Sequence, residues 1–241
     1  MAQEERFSNI SDFDKVTFGK DWFVLSVPKN TGAICIDLEK TLLTDEGWIS
    51  HIRQAEIDIL TTYFGWTDPE KQFEIERHKY ASALGIDKVS VSYMAQQYGL
   101  DINTWNRLKE ERFLPEQFTF PEREVIIPLF SLITSRKKQL GIMSNTPSNI
   151  IRRILRHIGT PSDVSSQIRL FTADIFGISK PSKDFFNRVV HNFGKQTDEI
   201  VIIGDDPYKD LRLPFEMGMG TVYVRGPQQL NEAIIFLDKE N

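Results

Sequence analysis

The stretch Gly32–Leu43, GAICIDLEKTLL, constrains this chain more than any other. Its apolar run ends abruptly in two carboxylates, Asp37 and Glu39, with Thr41 two residues on. A parallel strand buried on both faces reads as a near-continuous apolar run, and open α/β sheets bind ligands at the carboxyl ends of such strands. The sequence therefore predicts a buried strand that delivers an acid to a ligand-binding edge. The question for the remaining chain is what else reaches that edge.

Four further short apolar runs follow, Leu140–Met143, Arg169–Thr172, Ile200–Ile203 and Thr221–Val224. Helical patterns over 125–134, 148–158, 183–193, 211–217 and 227–238 alternate with them. That alternation predicts right-handed βαβ units: an α/β, Rossmann-like fold with a mainly parallel sheet flanked by helices. Upstream, residues 16–18 and 22–27 surround a Gly19–Asp21 turn and predict a β-hairpin or added edge strand. The polar residues 1–15 are expected to be loosely packed. Between 46 and 114 the patterns are helical, over 50–64, 70–84, 89–98 and 102–113, with breaks at Gly65, Pro69, Gly85 and 98–101. The predicted organisation is a core of 1–44 and 116–241, with 1–30 as an extension, and an inserted all-helical cap of 45–115.

A net charge of −5 over 241 residues offers no basic surface on the whole-chain scale, so nucleic acid is not expected as a partner. No apolar run approaches membrane-spanning length, and the N-terminus lacks an apolar leader segment, so no membrane association is expected. The single cysteine, Cys35, lies within the first strand, where a packed thiol is expected rather than a disulfide or a nucleophile. These features predict a cytoplasmic protein.

Polar residues gather at the strand ends. The first strand gives Asp37 and Glu39, the second Ser144 and Asn145, and the fourth Asp205, Asp206 and Asp210; Lys180 precedes a helix. Asp37 and Asp205 at neighbouring strand ends would form an all-oxygen pocket with excess negative charge, suited to Mg²⁺. Lys180, the Ser144 hydroxyl and the amides of Asn145 and Thr146 at a helix start could hold phosphate oxygens. A carboxylate beside such a phosphate can serve as nucleophile, and a second one two residues away can move the proton. Asp206, followed by Pro207, reads as a loop residue.

These segments resemble the haloacid dehalogenase (HAD) superfamily of phosphatases. Asp37-Leu38-Glu39-Lys40-Thr41 is similar to its Asp-x-Asp-x-Thr motif, Ser144-Asn145 to its strand-end Ser/Thr, Lys180-Pro181 to its Lys motif, and Gly204-Asp205 through Asp210 to its Gly-Asp-x-x-x-x-Asp motif. The order matches, and the helical segment resembles the family's C1 cap. The resemblance implies Asp37 as nucleophile and Glu39 as acid/base, with Ser144, Asn145 and Lys180 on phosphate. It also implies Asp37, the Glu39 carbonyl and Asp205 on Mg²⁺, with Asp210 holding a metal-bound water or orienting Lys180. The implied activity is Mg²⁺-dependent hydrolysis of a small phosphorylated metabolite through an aspartyl-phosphate. Tyr98-Gly99-Leu100 and Trp105-Asn106-Arg107-Leu108 are similar to a region of pyrimidine 5′-nucleotidase-like members, which adds nucleoside monophosphates to the substrates considered.

The chain departs from that pattern where Glu39 replaces the usual Asp, placing the carboxyl one methylene further out. This keeps open an alternative, a catalytically weak or inactive binding protein on the same scaffold. A metal-free dehalogenase would need neither the second acid nor Asp205. A receiver domain would place its acidic pair and its phosphoacceptor in a different strand order and would lack the insert. The aromatic residues of the insert are expected to form its core rather than a base-stacking platform.

Overall fold

The computed structural model describes residues 16–17, 23–26, 28, 30–83 and 89–239. The segment 1–15, the Gly19–Asp21 turn and the break at Gly85 lie outside them.

The centre of the molecule is a strand that sequence alone singles out. Strand β3 (Ala33–Asp37) is buried at every residue. It pairs in parallel with β4 (Gln139–Ser144) on one side and β6 (Ile200–Gly204) on the other. Strand β5 (Ile168–Thr172) extends the sheet beyond β4, and β7 (Gly220–Tyr223) extends it beyond β6. The predicted hairpin adds β1 (Val16–Thr17) and β2 (Phe23–Ser26), antiparallel to each other, with β2 antiparallel to β7. The order is β1-β2-β7-β6-β3-β4-β5. From β3 the chain builds outward through β4 and β5, then returns to β6 on the other side. The reversal between β3 and β6 is the topological switch point, where ligand crevices of such sheets open.

Side-chain alternation divides each strand between two apolar layers. Ile34, Ile36, Leu140, Ile142, Val201 and Ile203 join one cluster, with residues of α5 (Arg123–Ser135), α6 (Ser148–His157) and α11 (Pro227–Lys239). Ala33, Cys35, Met143, Phe171, Ile200 and Ile202 join the other, with Phe176, Phe185, Phe186, Val189 and Phe193. Those last residues lie on α8 (Ala173–Phe176) and α9 (Lys183–Phe193). The short α7 (Ser162–Ser165) precedes β5 and has no counterpart among the sequence predictions. Cys35 is buried and unbonded, and burial pushes its thiol well up, so it packs as a small apolar residue.

Among the described residues, four α-helices lie between β3 and α5: α1 (Glu46–Phe64), α2 (Pro69–Ala83), α3 (Val91–Gln97) and α4 (Ile102–Arg112). They share a third apolar cluster that includes Ile57, Leu60, Phe73, Met94 and Trp105. Trp105 is fully buried and donates its Nε1–H to Ser92 Oγ at 2.9 Å, a core role. Helix α1 begins four residues before the predicted start. Asp45 caps it by accepting from Trp48 N at 2.7 Å, and Trp48 is fully buried among Phe113, Phe118 and Phe120. Among the described residues, no helix is long and apolar enough to cross a membrane.

Candidate active site

The carboxyl edge of the sheet carries the polar residues that the sequence places at strand ends. Asp37 ends β3 and is 5% exposed. Lys180, in the loop before α9, is 2% exposed and donates from Nζ to Asp37 Oδ1 at 2.5 Å and to Asp210 Oδ1 at 2.7 Å. Asp210 is fully buried in a π-helical turn, Pro207–Leu211, that leads into α10 (Arg212–Glu216). Its second oxygen accepts from Asp206 N at 3.2 Å. The Asp210 carboxyl lies against Gly204, where a Cβ would sit 2.6 Å from Oδ2, so a glycine ending β6 is what admits it. The predicted helix over 211–217 thus starts earlier: Asp206 caps the turn by accepting from Tyr208 N and Lys209 N at 3.1 and 2.9 Å. Asp206 is a capping residue in a loop, ion-paired with Lys209 at 3.3 Å.

Oxygens of Asp37, Asp205 and Asp210 lie within 4.8 Å of one another. Three acids this close, in a largely buried setting, oppose each other's ionisation. Burial, then the charge of Asp37, pushes the Asp205 carboxyl up to about 8. Burial and Asp37 push Asp210 up to about 6, against the pull of Lys180 and Lys209. Asp37 is raised by burial, with Lys180 opposing and Glu39 adding to the rise. For Lys180 burial works downward, but Asp210 and Asp37 outweigh it and hold the ammonium well up. The donor set is all oxygen, with more negative charge than its lysines balance. Such a set fits a hard divalent cation.

Glu39 is placed differently from Asp37. Its Oε2 accepts from Ser144 Oγ at 2.9 Å and its Oε1 from Thr146 Oγ1 at 2.6 Å. Its carboxylate is therefore outside the acidic trio, and only its backbone carbonyl is left for the metal role that the resemblance implies. Ser144 Oγ also accepts from Thr146 N at 2.9 Å. Asn145 joins this loop to the lysine loop: its Oδ1 accepts from Lys180 N at 2.8 Å and its Nδ2 donates to Lys180 O at 3.2 Å. Thr41 lies 3.5 Å from Asp37 Oδ2.

Two participants are missing from the residues that sequence reasoning picks out. It reaches Thr146 only through its amide, although a second hydroxyl two residues after Ser144 is an available signal. Lys109 on α4 is buried, and its Nζ donates to Asn145 O at 2.8 Å. Its signal is a lysine spaced four residues from both Trp105 and Phe113, on one helical stripe.

A family model described as a haloacid dehalogenase-like hydrolase matches residues 31–213. Among solved structures, a haloacid dehalogenase-like family hydrolase from Xanthomonas campestris has a TM-score of 0.51 at 13% identity, covering 89% of this chain and 98% of that one. A HAD phosphatase from Thermococcus onnurineus has a TM-score of 0.49 at 19% identity, covering 79% and 85%. A 2-haloacid dehalogenase from Pseudomonas syringae pv. tomato DC3000 has a TM-score of 0.47 at 19% identity, over the same shares. No curated protein matches the chain.

Proposed function

Starting from the premise that this chain belongs to the haloacid dehalogenase-like hydrolase family, we propose that it is a Mg²⁺-dependent phosphatase of small phosphorylated metabolites, with Asp37 as nucleophile. The observation that carries this reading is the acidic trio of Asp37, Asp205 and Asp210 within 4.8 Å, with Lys180 bridging two of its members. Hydrolysis of a carbon–halogen bond by Asp37 would call for no such cluster, whereas a phosphate dianion needs cationic support beside its nucleophile.

Asp37 and Asp205 would hold the ion. Asp210, with both oxygens already accepting, is suited to fixing Lys180. When bound, Mg²⁺ would supply positive charge to the phosphate oxygens as negative charge builds up. The Asp37 carboxylate attacks phosphorus, the bond to the leaving oxygen breaks, and Glu39 in its acid form delivers the proton to that oxygen. Glu39, now a carboxylate, takes a proton from a water that attacks the aspartyl-phosphate, releasing phosphate and restoring Asp37. Lys180 balances charge on Asp37 throughout, and the helical insert covers the strand ends and selects the leaving group.

The test is a screen of phosphorylated metabolites, nucleoside monophosphates among them, with Mg²⁺ and with EDTA. Turnover that needs Mg²⁺ and disappears in Asp37→Asn is expected; undiminished turnover in that variant would sink the mechanism. An alternative reading is favoured by one observation. Glu39 occupies the hydroxyls of both Ser144 and Thr146, which suits a site that binds phosphate and turns over slowly or not at all. Glu39→Asp separates the two readings: restored turnover from an inert wild type supports the alternative, and brisk wild-type turnover excludes it.

A further inference from the structure

A lysine is seldom fully buried unless it is paired. Lys109 is 2% exposed, and its ammonium meets three parts of the molecule at once. It lies 3.5 Å from Glu56 Oε1 on α1 and over the rings of Trp105 and Phe113, at 5.6 and 5.3 Å. Its hydrogen bond leaves the insert and ends on the carbonyl of Asn145. Packing alone does not call for a cation here, because buried ion pairs can often be replaced by apolar residues of similar size without loss. What the ammonium adds is a directed contact to one loop.

That loop, Ser144–Thr146, serves both halves of the site. Ser144 and Thr146 hold the two oxygens of Glu39. Between them, the Asn145 side chain makes two hydrogen bonds to the backbone of Lys180. Lys180 in turn holds Asp37 and Asp210. Burial pushes the Glu56 carboxyl up, while Lys109 and then Arg77 draw it down, so the ammonium and its partner sit together inside the insert.

We infer that Lys109 is a positioning residue, which ties the seating of the helical insert to the Ser144–Thr146 loop and through it to Glu39 and Lys180. Lys109 touches neither the acidic trio nor the reacting atoms, and its effect runs through the Asn145 carbonyl. The kinetic side of this inference rests on the phosphatase reading above.

The experiment compares wild type, Lys109→Met, Lys109→Arg and the double variant Glu56→Gln/Lys109→Met, all full length. Aryl phosphate hydrolysis with Mg²⁺ is measured beside amide exchange over 144–148 and 179–182. Lys109→Met is expected to lower kcat by about 10- to 100-fold, the scale of a roughly 1 Å misplacement, with KM changed far less. Lys109→Arg, which keeps a donor, is expected to recover part of the loss. Exchange should quicken in both loops of Lys109→Met and stay unchanged in β6. Should Lys109→Met fail to fold, the double variant decides by the same criteria, because it leaves no unpaired buried carboxylate. A folded variant without the lysine that keeps wild-type kcat overturns the inference, as does an arginine variant no faster than the methionine one. Unchanged exchange in both loops overturns it whatever the protein hydrolyses. Quickened exchange beside an inert wild type overturns the phosphatase reading alone.

Discussion

Burial raises carboxyls both at the sheet edge and in the helical insert, but the groups around them differ. In the insert, the Glu56 carboxyl faces Lys109 and feels Arg77 as well, so cations offset part of the burial that raises it. At the sheet edge, Asp37, Asp205 and Asp210 crowd together with Lys180 bridging two of them, and all three carboxyls are pushed up. A fold selected only for stability has no reason to gather acids that resist ionisation, whereas an ion pair closes on itself. The acidic trio is suited to a cation from outside the chain. The ion pair of the insert needs none and fixes geometry. Under the proposed mechanism, the difference separates residues that would do chemistry from one that would hold them in place.

The contrast breaks most sharply at Asp37. Asp37→Asn is expected to cost roughly 10⁴-fold or more in kcat/KM, the scale for loss of a nucleophile. A loss below about tenfold in steady-state assays would remove Asp37 from that role. Glu39→Gln should cost about 10²- to 10⁴-fold, the range for a positioned proton donor. Single-turnover measurements with an aryl phosphate are the sharper readout, since they separate formation of the phospho-enzyme from its hydrolysis. Mg²⁺ at about 100 times its dissociation constant should stabilise the wild type by ~2.7 kcal/mol. In melting experiments Asp205→Asn should lose that shift; retention of the full shift would place the ion elsewhere.

The smallest effect lies in the insert. The folded-state pKa of Glu56 is raised above its ordinary value of 4.5, chiefly by burial. A carboxyl raised in this way contributes stability that is present below 4.5 and is lost as pH rises through the folded-state value. The stability of Glu56→Gln relative to wild type should therefore increase as pH climbs from 4.5 to the folded-state value and level off above it, in melting curves taken at several pH values. A flat difference would mean that the pair with Lys109 cancels the cost of burial, and one that runs the other way that the pair outweighs it.

Much of the fold is legible in the chain because buried strands leave a local mark. Ile34 and Ile36 face one layer, Cys35 the other, so β3 must be apolar at every position until it reaches the edge. Asp37 and Asp205 are legible as acids that end such runs. The helix starts are less so: α1 opens at Asp45 because of a cap and a buried Trp48, neither of which the apolar periodicity registers. In the site, the partnership of Glu39 with Thr146 spans 107 residues and that of Lys180 with Asp37 spans 143.

The sequence by itself determined the strand–helix alternation, the helical segment after the first strand and the acids at the carboxyl edge. Periodicity and strand-end position are local properties, which the chain carries wherever it folds. Only the tertiary structure decided how those residues are used. It bound Glu39 to two hydroxyls, set Asp210 under Lys180 and brought Lys109 to the Asn145 carbonyl. Each of those contacts depends on strand order and on how the insert packs. An ammonium or a carboxylate has the same covalent structure in either role, and its partners decide whether it reacts, binds or positions.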